Sequence, residues 1–100
     1  MLHLRDMVVA LEWLARRPVL DGLSPAQTGR LAALLPSIHA NLYGPPGRID
    51  AALERRVWRL LRPEQARAAQ AWLVRQKTAP DFMATLQALE RRIPAVDPLP

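Results

Sequence analysis

Three features of the sequence predict an all-α fold, a compact bundle of four to five short helices with proline-bounded connections. Half of the 100 residues are hydrophobic, and Leu and Ala dominate that half while β-branched residues are scarce. Strong helix formers of this kind favour helix over sheet. Apolar residues recur at three- and four-residue intervals, the period of a helix with one buried face. Most of the ten prolines fall between these stretches and mark their ends. So high an apolar fraction separates the chain from disordered polyelectrolytes. The length suits one domain, taken as residues 1–93, with a frayed proline-containing tail over 94–100. A core of this size is modest, so every helix must contribute a face.

The first helix is expected over Leu4–Arg16. Leu4, Met7, Val8, Leu11 and Leu14 share a side, Pro18 stops the helix and Asp21-Gly22 turns the chain. The second helix opens at Leu23-Ser24-Pro25-Ala26-Gln27. Ser24 is a strong N-cap and Pro25 suits the first helical position. Gln27, three residues past the cap, can reach back to close a capping box. Leu31, Leu34, Leu35 and Ile38 form the apolar face, which fades near Leu42. Pro36 lacks a backbone donor and is expected to kink or split this helix.

Tyr43-Gly44-Pro45-Pro46-Gly47 reads as a loop too short for a domain linker. The third helix is expected over Ile49–Leu61 and the fourth over Pro63–Lys77, with Ala66, Ala69 and Leu73 inward. Thr78-Ala79-Pro80-Asp81 reads as a cap and restart. The fifth helix then carries Phe82, Leu86, Leu89 and Ile93 in one stripe.

The net charge is +5, and the basic residues are thirteen Arg and one Lys. Arg suits bidentate recognition of carboxylate and phosphate. The third helix concentrates this charge. At about 100° per residue, Ile49, Leu53, Val57 and Leu60 fall within roughly 80°, and Arg48, Arg55, Arg59 and Arg62 within roughly 60° on a nearly opposite side. Asp50 and Glu54 lie on a flank and only partly dilute the positive field. Such a stripe is either the solvated outer face of a bundle helix or a surface for an anion. Trp58 is displaced from its helix's apolar arc, and Trp72 from the Ala66–Ala69–Leu73 stripe. Each indole is either part of a wide buried face or an anchor for a partner, a role Trp often fills.

Other chemistry finds little support. With no Cys, disulfides and thiolate zinc sites are excluded. His3 and His39 are the only histidines, and His39 has no acidic residue or His three or four positions away. Paired carboxylates would have to come from different helices, and Ser24 has no local base. Gly44-Pro45-Pro46-Gly47 lacks the spacing of a phosphate loop. The expectation is a protein that is not an enzyme and uses no cofactor, metal or small-molecule substrate. No stretch approaches the ~20 apolar residues of a membrane span. Arg5, Asp6 and Glu12 interrupt the N-terminal apolar run, so the chain reads as cytoplasmic.

The phrases Leu23-Ser24-Pro25-Ala26-Gln27 and Leu61-Arg62-Pro63-Glu64-Gln65, 38 residues apart, repeat one pattern. Both resemble the Leu-Thr-x-x-Gln motif of the Spy/CpxP group of helical proteins, over the stretch from about Leu23 to Gln76. The second has Arg62 where the motif carries a capping hydroxyl. The resemblance implies an all-helical, often dimeric protein whose basic concave face holds unfolded or partner proteins. It also implies that the motif residues serve helix starts and packing. The functional expectation is an interaction module that binds a protein partner or itself, chaperone- or adaptor-like, through Arg48, Arg55, Arg59, Arg62, Trp58 and Trp72. The alternative is a small nucleic-acid-binding protein using Arg48, Arg55, Arg56, Arg59 and Arg62.

Overall fold

The computed structural model describes residues 3–18, 22–44, 50–78 and 81–93. Five helices follow in order: α1 (Leu4–Arg16), α2 (Pro25–Leu42), α3 (Ala51–Trp58), α4 (Pro63–Arg75) and α5 (Phe82–Arg92). The described residues contain no strand, and the all-α bundle expected from composition and periodicity is the fold observed.

Helix α1 is the hub. Leu4, Met7, Val8, Val9, Ala10, Leu11 and Leu14 are all buried, more than a single packed face requires. Its main neighbours are α5 and then α4, and it also touches α2 and α3. Leu4, Met7, Val8 and Leu11 join Leu31, Leu35 and Ile38 of α2, Leu53 and Val57 of α3, and Leu86 and Leu89 of α5 in the main core. Ala10 and Leu14, on another side of α1, meet Ala69 of α4 in a smaller cluster edged by Trp13, Leu23, Leu61 and Leu73. Small side chains at Ala10 and Ala69 let these two helices approach closely, since interaxial distance follows the size of the residues at the contact. Each leucine buried in this way contributes roughly 1.5–3 kcal/mol relative to an exposed one.

Of the two outcomes expected at Pro36 one is not seen, and α3 has other bounds than expected. Pro36 does not split α2, which runs unbroken from Pro25 to Leu42. The proline ring sits on the exposed side, so its cost is the missing backbone hydrogen bond and not a clash with the core. Helix α3 is shorter than Ile49–Leu61. Asp50 caps it, with Oδ1 accepting from Leu53 N–H at 3.0 Å. At the far end, Leu60 N–H donates to Val57 O at 3.1 Å and Leu61 N–H to Trp58 O at 3.2 Å. These tighter bonds close the last turn. Arg62 is extended (φ −70°, ψ 154°), as the residue before a proline must be to avoid its ring. Ile49 and the expected tail over 94–100 lie outside the described residues.

The repeated Leu-x-Pro-x-Gln phrase becomes a contact. Gln27 and Gln65, 6% and 3% exposed, are the buried polar side chains among the described residues. Each stands at the third position of its helix, and its Oε1 accepts from the N-cap backbone N–H, Ser24 N for Gln27 and Arg62 N for Gln65, both at 2.9 Å. Each Nε2 donates to a carbonyl two residues before the other helix's cap. Gln27 reaches Leu60 O at 2.7 Å and Gln65 reaches Gly22 O at 2.9 Å. The two amides also bond each other, Gln27 Nε2 to Gln65 Oε1 at 2.6 Å and Gln65 Nε2 to Gln27 Oε1 at 3.2 Å. Each amide thus uses two donors and accepts two bonds, its whole hydrogen-bonding capacity.

The two halves of this clasp differ at the cap. Ser24 Oγ accepts from Gln27 N–H at 3.1 Å and completes a capping box. A guanidinium has no acceptor, so at α4 only the Arg62 N–H to Gln65 half is formed. Gly22 closes the turn into the clasp, with its N–H on Pro18 O at 2.8 Å. A Cβ at Gly22 would lie 2.6 Å from Leu14 O and 2.9 Å from Arg17 O, both backbone atoms that cannot swing aside.

Three stability measurements by urea denaturation check this account. Gln65→Ala strips the partners from Gln27 and Gly22 O and is expected to cost about 3 kcal/mol, because each buried polar group left unpaired costs about 1–3 kcal/mol. Gly22→Ala overpacks a backbone contact and is expected to cost about 1–3 kcal/mol. Arg62→Ser supplies the missing cap acceptor and is expected to stabilise the fold by about 0.5–1 kcal/mol.

Candidate anion-binding groove

Among the described arginines of the expected stripe, Arg62 does not share the helical face of Arg55 and Arg59. Helix α3 ends at Trp58. Arg59 is its C-cap, while Arg62 lies beyond a turn as the N-cap of α4. Its Nε pairs with Glu64 Oε1 at 3.0 Å. Arg55 and Arg59 are exposed on α3 and at its end, as expected. Arg48 lies outside the described residues. The tertiary fold adds a different neighbour. Arg30 of α2 faces Arg56 and Arg59 across an open groove of about 380 Å³, lined also by Ala33, Leu34 and Leu60.

The walls follow from the helical periods. Arg30, Ala33 and Leu34 are three and four residues apart, so they share the edge of α2 that borders α3. Arg56 and Arg59 share the opposing edge for the same reason. Leu34 and Leu60 are 7% and 9% exposed and show only their margins, while Ala33 is open to solvent. The floor is therefore apolar and the rim cationic.

The acidic residues near this face are committed elsewhere. Asp50 is turned to the start of α3, where it caps Leu53 N–H. Glu54 points to the start of α1, where its Oε2 accepts from Leu4 N–H at 2.9 Å and lies 3.9 Å from His3 Nδ1. A carboxylate at a helix start satisfies an orphan donor and meets the positive end of the helix dipole. Glu12 pairs with Arg16 at 2.7 Å and Arg92 at 3.8 Å. Among the described residues, Arg30, Arg55, Arg56 and Arg59 have no carboxylate partner. Cations gathered without a counter-charge raise the local potential and attract anions.

The tryptophans stand apart from the groove. Trp58 is half-buried against the main core. Trp72 stacks on Trp13, with ring centroids 5.1 Å apart and planes 12° from parallel, and the Arg17 guanidinium lies 4.5 Å from the Trp13 ring centre. His39 gains a partner that its own helix lacks. Its Nδ1 lies 3.0 Å from Glu90 Oε2 on α5, and its ring stacks on Tyr43 at 4.3 Å.

Among the described residues, no three side chains of the His, Cys, Asp and Glu type converge as a metal site would need, and no helix is long and apolar enough to cross a membrane. No protein-family model, curated protein or solved structure matches the chain.

Sequence reasoning named Arg59, and Arg56 in its nucleic-acid version, but missed Arg30. The local signal was present, a lone Arg beside the apolar face of its own helix. Only the packing of α2 on α3 gives that residue its companions.

Proposed function

We propose that this protein is a non-enzymatic interaction module that binds an acidic partner protein through the arginine-bearing face of α2 and α3, as a chaperone or adaptor would. The supporting observation is that Arg30, Arg56 and Arg59 line one open groove while the neighbouring carboxylates are spent on helix starts. Holding three guanidinium groups together without a counter-ion is unfavourable, and an acidic ligand relieves it. A second copy of a chain with net charge +5 is a poor source of that acid, which favours a different partner over self-association. The resemblance of the two Leu-x-Pro-x-Gln phrases to the Spy/CpxP group points the same way, toward a helical protein that holds other proteins on a basic surface.

The test uses polyglutamate as the acidic probe, with binding followed by fluorescence anisotropy across a salt series. The native chain should bind, and affinity should fall steeply as salt screens the exposed charges. Arg56→Ala/Arg59→Ala should weaken binding about tenfold, or about 1.4 kcal/mol, which lies within what two exposed ion pairs worth up to about 1 kcal/mol each supply. The helical circular dichroism should not change. No binding by the native chain, or equal binding by the double variant, sinks this reading. Tighter, salt-dependent binding to duplex DNA would favour the nucleic-acid alternative.

A further inference from the structure

We infer that the α2–α3 groove takes a peptide segment in which acidic residues flank one apolar side chain, the apolar group seated on the floor and the carboxylates on the arginines. This rests on the proposed function and specifies its ligand.

The groove has two chemistries, and a bare polyanion answers only one of them. The rim carries Arg30 on one wall and Arg56 and Arg59 on the other, and the floor is formed by Ala33, Leu34 and Leu60. A chain of carboxylates or phosphates would neutralise the rim and leave the floor wet. An apolar side chain laid between the rims removes that floor from water, which is favourable in proportion to the area covered. It also drives water from around the guanidinium groups, so the flanking ion pairs act in a medium of lower dielectric and strengthen. The two contributions therefore support each other.

The same inventory disfavours single-stranded nucleic acid. Unpaired bases are held by stacking on aromatic side chains. None of the six lining residues is aromatic, and Trp58 packs against the core. The distribution of charge across both walls requires acids on both sides of the apolar residue, since Arg30 comes from α2 and its companions from α3 and its C-cap. The groove, about 380 Å³, is open to solvent, so a bound segment seats a side chain between the rims and keeps its outer side in water.

The experiment compares three fluorescent probes on the full chain. One is a glutamate-rich peptide with a central leucine, the second is the same peptide with serine in place of leucine, and the third is an oligothymidylate of equal charge. The leucine peptide should bind about tenfold more tightly than the serine peptide, which corresponds to about 1.4 kcal/mol and is less than the value of a fully buried leucine. Ala33→Gln, an uncharged change at an exposed position, should bring the two peptides to within about twofold by covering the floor. The serine peptide should keep its affinity for that variant.

Equal affinity for the two peptides, with both still weakened by Arg56→Ala/Arg59→Ala, overturns this inference and leaves the acidic-partner reading standing. A leucine preference that survives Ala33→Gln places the apolar contact elsewhere and overturns the assignment to this groove. Oligothymidylate binding more tightly than the leucine peptide overturns both, as does failure of both peptides to bind.

Discussion

The geometry of this bundle depends on a pair of side-chain amides. Apolar burial pulls helices together without direction, so leucine packing alone leaves them free to slide or rotate. Gln27 and Gln65 remove that freedom. Their amides meet each other, their own helix caps and the carbonyls of Leu60 and Gly22. A buried amide is costly unless every position is satisfied, and a satisfied network in a low-dielectric interior is strong and specific. Any shift of α2 against α4 would break several of these bonds at once. The clasp therefore sets where the two helices begin relative to each other, and the leucines fill the space that this arrangement encloses.

Helix α1 turns that arrangement into a single body. It is apolar on more than one side, so it serves the main core with Leu4, Met7, Val8 and Leu11 and the smaller cluster with Ala10 and Leu14. Its first turn is tied to α3 through Glu54, fifty residues away in sequence. That bond has an electrical consequence at a distance. By drawing Glu54 toward the start of α1, as Asp50 is drawn to the start of α3, the fold strips α3 of the acids that would have neutralised its arginines. A structural need for caps thus leaves Arg56, Arg59 and, across the groove, Arg30 without internal counter-charges.

Much of the local structure was legible in advance. The bounds of α1 and α2, the Ser24–Gln27 capping box, the buried stripe of α2 and the burial of Ala66 and Ala69 in α4 and of Leu86, Leu89 and Ile93 along the α5 stripe all follow from residues within a turn or two of each other. The end of α3 was misplaced because apolar spacing continues through Leu60 and Leu61 while the chain is already turning toward Pro63. Of the kink or split expected at Pro36, the split does not occur, because the ring faces solvent and the packing of the flanking turns outweighs the lost hydrogen bond and the crowding of the carbonyl one turn back. Arg62 left the expected arginine stripe because it lies beyond the end of α3, and residues beyond a helix end no longer keep its angular period.

The sequence by itself determined that this chain is helical, where most helices start and stop, most of the apolar residues that are buried, and that its cations are mostly arginine. Those properties depend on backbone propensity, capping and periodicity, which act over a few residues. Tertiary structure alone decided that the two repeated glutamines face each other, that His39 meets Glu90, that Glu54 serves another helix, and that Arg30 joins Arg56 and Arg59. Each is a meeting of groups far apart along the chain. Such meetings are fixed by how apolar faces of different helices pack, and no local pattern encodes that choice.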